Sequence, residues 1–145
     1  MPTIQSTYAA THARWIEGME LNMEPKVIVT RVAEDVEGIG FGKVCVQGTA
    51  DNQVVDSEAT AKFAGIAVLD TTRPNGKYDQ YDNVAVMKKG VIVVQASVAV
   101  AVGDPVYYVP ATGVLTNVST SNTLIAGAQW DTSTSGAGLA ALRLG

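Results

Sequence analysis

Between residues 83 and 109 the chain reads NVAVMKKGVIVVQASVAVAVGDPVYYV. Apolar, β-branched segments are cut there by two turn signals, Lys88-Lys89-Gly90 and Gly103-Asp104-Pro105. The first signal predicts a tight turn, with strands over residues 84–87 and 91–94 pairing antiparallel around it. Val98, Val100 and Val102 share one side of a period-two segment, with Ala99 and Ala101 on the other. That alternation predicts a strand half buried on its valine face. Gly103-Asp104-Pro105 then breaks the ladder: glycine reaches positive φ, aspartate bonds the turn backbone, and proline has no N–H to give. The next strand is expected over residues 106–109.

The same texture runs through the rest of the chain. Residues 26–33 (KVIVTRVA) alternate as a strand, and residues 43–47 resume one after Gly38-Ile39-Gly40-Phe41-Gly42. Residues 48–52 read as a turn, and residues 54–61 are ambiguous. Residues 63–69 (FAGIAVL) read as a buried strand whose glycine marks a bulge. Residues 70–83 form the longest polar loop. Pro110-Ala111-Thr112-Gly113 signals another hairpin, followed by strands over 114–118 and 124–128 and a flexible loop at 131–136. LAALRL at the end has helical propensity, but its six residues lie between glycines and alternate, so a strand is expected. Nine or ten short strands at spacings of about 8–12 residues indicate a sandwich or barrel. The fold class expected is all-β, a single-domain barrel or sandwich with a jelly roll among the candidates. Residues 1–25 break the pattern, with Tyr8, Trp15, Ile16, Met19, Leu21 and Met23 scattered among polar positions. They read as an extended arm (1–25) ahead of a β domain (26–145). The large side chains of the arm need a surface, either the chain's own core or a neighbouring subunit.

Composition narrows the function. At 145 residues the chain can bury one real core. With 6% aromatic residues, that core must be built largely from Val, Ile, Leu and Ala. The net charge of −4 comes with no basic face, which argues against direct nucleic-acid binding. No apolar run reaches about 18 residues, so no transmembrane helix and no membrane partner are expected. The N-terminus lacks the apolar centre of a secretory signal. The lone Cys45 forms no internal disulfide, consistent with a reducing cytoplasm. From residue 91 onward only Asp104, Asp131 and Arg143 are charged. A half so neutral, covered by Ser, Thr, Asn, Gly and Ala, fits protein–protein contact as well as a solvated β surface.

Candidate chemistry is sparse. Gly38-x-Gly40-x-Gly42-Lys43 lacks phosphate-loop spacing and is followed by a strand-like segment, so it reads as a glycine-rich turn. His12 and Cys45 are single, too few for a His/Cys zinc site. Cys45 sits in a valine strand and is expected to pack as a small apolar group. Acidic clusters at Glu34/Asp35/Glu37, Asp51/Asp56/Glu58 and Asp79/Asp82 fall in loops. They suggest a carboxylate pair or a calcium site only on paper. No catalytic residues, no cofactor and no metal are therefore expected, and a non-enzymatic structural or interaction protein is the reading.

The order of segments adds a further clue. FAGIAVLD precedes a tyrosine-bearing polar loop, then VAVMKKGVIVV, VAVGDPVYYVPATGVLT and LIAGAQWDTSTSGAGLAALRLG. This series resembles tailed-bacteriophage structural cement (capsid decoration) proteins over residues 63–145, and more loosely in the arm. The resemblance implies a virion protein made in the host cytoplasm and bound to the outside of the expanded head. It implies a homodimer or homotrimer that bridges the phage major capsid protein against DNA pressure. Residues 2–24 are the candidate arm. Tyr8, Trp15, Met19 and Leu21 are its proposed capsid or subunit contacts, since large apolar groups anchor interfaces. The alternatives are a tail or head-fibre component and a glycan- or ligand-binding β-sandwich using Tyr78, Tyr81, Tyr107, Tyr108 and Trp130.

Overall fold

The computed structural model describes residues 15–56, 58 and 62–145. Those residues form eleven strands and no helix, an all-β domain. The organising element is β7 (Asn83–Ala96), a single strand of 14 residues. The antiparallel hairpin expected at Lys88-Lys89-Gly90 does not form. The polar pair and glycine mark a kink: Lys88 and Lys89 are both exposed, and Gly90 and Val91 are both buried. Before the kink Met87 faces the larger core; after it Ile92, Val94 and Ala96 do, so the facing parity switches from odd to even. Gly90 takes φ 128°, and a Cβ there would lie 2.8 Å from Cβ of Lys26. The strand does not reverse because each half finds partners elsewhere in the chain.

The first half of β7 closes one ring of strands. It pairs antiparallel with β1 (Val27–Ala33) on one edge and β5 (Phe63–Ala67) on the other. β5 pairs with β3 (Val44–Gln47), β3 with β4 (Gln53–Val55), and β4 runs parallel to β1. The second half closes another ring. It pairs with β11 (Gly138–Leu144); β11 pairs with β10 (Thr123–Trp130), β10 with β8 (Pro105–Tyr108), and β8 with β9 (Leu115–Thr116). β9 returns to β7 in a parallel bridge at Ala96. Two five-stranded rings thus share one strand, which answers barrel against jelly roll in favour of barrels. Closure removes the open edges that invite uncontrolled pairing. The remaining strands, β2 (Ile39–Gly40) and β6 (Lys77–Tyr78), pair only with each other.

The expected bulge in β5 is present. Cys45 pairs with Gly65 but Val46 pairs with Phe63, leaving Ala64 unmatched. The expected strand over residues 98–102 is absent. Those residues form a loop in which Val100 is buried while Val98 and Val102 are exposed. Alternation alone misled here, because Asp104 accepts from the Ala101 N–H and Thr134 Oγ1 from the Val100 N–H, ending the ladder before it starts. Residues 48–52 turn as expected, and residues 110–113 turn between β8 and β9.

Each ring has its own core. The first is small: Ala33, Cys45, Val54, Ala67, Val84 and Val86, capped by Ile39 and Tyr78. The second, larger core holds Trp130, Tyr108, Ile92, Leu142 and Val106, and it extends onto the outer faces of β3 and β5 through Val44, Val46 and Ile66. The alternating exposure of β7 therefore serves three layers with one strand.

Candidate functional site

Residues 15–25 lie along the edge of β7 that β11 leaves open. Gly18 N–H donates to Val93 O (2.7 Å), Val93 N–H to Met19 O (3.0 Å) and Leu21 N–H to Val91 O (3.2 Å), and Glu20 bridges Ile92. Leu69 N–H donates to Gly18 O (2.8 Å), tying this strap to the first ring as well. Gly18 and Gly42 meet backbone to backbone: a Cβ on Gly18 would stand 2.8 Å from Gly42 N and from Phe41 Cβ. That contact, with the short β2–β6 ladder, gives the Gly-x-Gly-x-Gly turn a structural role.

Ion pairs fasten the strap along its length. Glu17 pairs with Lys43 (2.8 Å) and Glu20 with Lys26. Glu24 accepts from Arg143 through both oxygens (2.5 and 3.1 Å), and Arg143 also reaches Asp131 (3.3 Å). The hydrogen bonds that Arg143 donates to Glu24 and Asp131 raise the guanidinium pKa further above its ordinary value. Beside the strap lies a cavity of about 370 Å³ with a mixed lining, polar at Glu17, Lys43 and Asp56 and apolar at Val44, Val114 and Leu115.

Of the proposed contact residues, Tyr8 lies outside the described residues. Trp15, Met19 and Leu21 are half-buried against their own domain. The most exposed apolar side chains of the strap are Ile16 (59%) and Met23 (97%). Sequence reasoning did not single these two out; only the pairing with β7 shows which way each side chain faces.

The glycan reading does not survive the geometry. Tyr78, Tyr108 and Trp130 are each about 1% exposed and belong to the cores. They are the largest side chains a Val-rich interior has for filling its volume. Tyr78 donates to Val68 O (2.6 Å) and meets Phe41 edge-on, with ring centroids 5.3 Å apart. Tyr107 is half-buried and only Tyr81 stands free, so the five aromatics line no common surface.

The acidic loops are engaged in local structure. Glu34 accepts from the N–H and hydroxyl of Thr49, which hold its carboxyl below the ordinary range. Asp82 accepts from Asp79 N–H (2.9 Å) and pairs with Arg73 (3.3 Å). Among the described residues no three His, Cys, Asp or Glu side chains converge to hold a metal ion. Cys45 is fully buried, and desolvation together with the charge of Asp56 pushes its thiol up to about 12. It is therefore neutral and packs as a small apolar group. His12 lies outside the described residues.

These features describe a closed, rigid β body whose polar groups serve turns and the strap. The family described as "Structural cement protein (E217 gp24/Pam3 gp6)" matches residues 4–145. The chain belongs to this phage structural cement family. Among solved structures, a chain from "The capsid of Myoviridae Phage XM1" superimposes with a TM-score of 0.79 at 19% identity, over 99% of this chain and 98% of that one. That likeness shows a shared fold. No curated protein sequence matches. A cement-family member has a capsid structural role, associates with capsid proteins and resides in the virion.

Proposed function

We propose that this cement-family protein binds the outer surface of the expanded head and bridges neighbouring major capsid subunits, so that the shell resists packaged DNA. The family match over residues 4–145 carries this reading. Two closed rings sharing one strand make a stiff spacer, which supports a bridging role. The segment ahead of the strap, with Tyr8, is the arm that reaches a neighbour. Trp15, Met19 and Leu21 anchor its root, with Ile16 and Met23 offered outward. The sparsely charged end of the second ring, with Val98, Val102 and Val118 exposed and Asp104 bonded to Ala101 and Asn117, is the face for self-association as a dimer or trimer. Contacts repeated around a closed shell add through avidity, so no single one needs to be tight. Preference for the expanded lattice stabilises that state by mass action.

Co-sedimentation of the purified chain with unexpanded and expanded capsids of the parent phage tests this. The expected result is saturable binding to expanded capsids at a simple ratio to the major capsid subunit. Binding to neither form overturns the reading and leaves a tail or head-fibre role to be tested next.

A further inference from the structure

Tyr81 is a residue out of place. Asp82 N–H donates to Asp79 O (3.1 Å), closing a tight turn whose third residue is Tyr81 at φ 68°. Glycine or asparagine belongs at such a position, because a Cβ in the left-handed region crowds the backbone carbonyl. Tyr81 is 69% exposed and makes no ring contact, side-chain hydrogen bond or ion pair among the described residues. On the neighbouring turn, closed by Gly38 N–H to Asp35 O, Val36 is 79% exposed. The two turns are stitched together. Tyr81 N–H donates to Ala33 O (2.7 Å), Ala33 N–H to Asp82 O (2.9 Å) and Gln80 Nε2 to Glu34 O (3.2 Å). The two turns that carry Tyr81 and Val36 thus form one tip of the first ring.

The rim of that tip is acidic. Glu34, Asp35, Glu37 and Asp79 enter no ion pair among the described residues, and only Asp82 is matched, by Arg73. Lys77 donates to the Glu37 carbonyl and keeps its charge, so four carboxylates outnumber one unpaired cation on this rim. A strained, exposed aromatic beside an exposed valine, framed by unmatched carboxylates, is complementary to an apolar cleft edged by Arg or Lys. We infer that Tyr81 and Val36 form a docking tip for such a cleft on the capsid subunit, steered by the carboxylates around them. The inference rests on the capsid reading above.

The test compares wild type with Tyr81→Gly, Tyr81→Asn and Glu37→Lys on expanded capsids prepared without this protein, at two salt concentrations. Tyr81→Gly relieves the strained turn, so its Tm is expected to hold or rise while capsid affinity falls about tenfold. Tyr81→Asn suits the same backbone and is expected to behave alike. Glu37→Lys is expected to weaken binding severalfold and reduce its salt dependence. Wild type that binds saturably, with all three variants binding equally well, overturns the docking tip and leaves the capsid reading intact. Wild type that binds no capsid overturns the capsid reading, and the tip with it. Variants that bind capsids normally but lose self-association would assign the tip to a second copy and overturn the capsid-cleft assignment.

Discussion

The two rings are built alike and surfaced differently. Each has five strands, one parallel pair and a share of β7. The first ring carries the acidic loops and a small core of Ala, Val and Cys. The second carries three charges, and every one of them is committed to holding a loop or the strap. Asp104 accepts from Ala101 N–H (3.0 Å) and Asn117 Nδ2 (2.9 Å), while Arg143 donates both to Asp131 and to Glu24 of the strap. What is left on the second ring's surface is uncharged, with Ser, Thr, Gln and Ala beside exposed Val and Leu124. The contrast teaches that charge on this molecule is placed by task. It is removed where copies are proposed to meet and kept where a basic partner is proposed to be found.

The difference in cores gives the largest expected effect. Trp130 fills the second ring and is about 1% exposed, with its indole N–H unpartnered among the described residues. Truncation to alanine is expected to cost about 3–5 kcal/mol, the range for deleting a buried aromatic. Chemical denaturation monitored by far-UV circular dichroism measures it. Because β7 is common to both rings, one cooperative transition is expected in both proteins. Two separated transitions would show that the rings fold independently and would break the shared-strand view.

Much of this was legible in the sequence, and what was not has a physical pattern. The strands at residues 26–33, 43–47 and 139–144, the β5 bulge and the neutral second half all follow from alternation, glycine placement and composition. The kink at Lys88-Lys89-Gly90 did not. Two polar residues and a glycine mark a break in a strand, but whether the chain reverses or bends depends on partners remote in sequence. β1, β5 and β11 occupy both halves of β7, and no local signal announces them. Exposure of the aromatics was hidden for the same reason. Tyr78 and Tyr81 stand three residues apart in one polar loop, yet one seals a core and the other points to solvent. In the arm, the large side chains were visible, but their orientation depends on a backbone pairing with residues 91–93.

That pairing sharpens the comparison a second time, because the strap is bonded to both rings. Removing residues 1–24 deletes the bonds made by Gly18, Met19 and Leu21, and it leaves Val93 and Leu69 N–H groups without their acceptors. With each backbone bond worth a net ~1 kcal/mol, the expected loss is about 2–4 kcal/mol. Removing residues 1–14 touches none of these bonds and is expected to leave Tm unchanged. Thermal melts of the two truncations, read beside capsid binding, divide the segment by task. Equal Tm for both would show that the strap adds nothing to the fold and that the whole of 1–24 serves as an arm.

The smallest expected effect concerns acid stability, where the rings again differ. In the first ring the Thr49 contacts depress Glu34; in the second, Asn117 first and then the Ala101 N–H depress Asp104 below the ordinary carboxylate value. A depressed folded pKa means that the unfolded chain takes up the proton first as pH falls. The stabilisation is thus fully present above the unfolded value of about 4 and is lost as pH drops through the lower folded value. Asp104→Asn removes one of these groups from the titration. The variant is expected to melt lower than wild type at pH 7, because an amide oxygen accepts the same two bonds more weakly. Its Tm should then fall less between pH 5 and pH 3, so the two curves converge on the acid side. Thr49→Val makes the matching change in the first ring by removing the hydroxyl that Glu34 accepts from, and it should produce the same convergence through Glu34. Parallel curves for Asp104→Asn with converging curves for Thr49→Val would place the acid sensitivity in the charged ring alone.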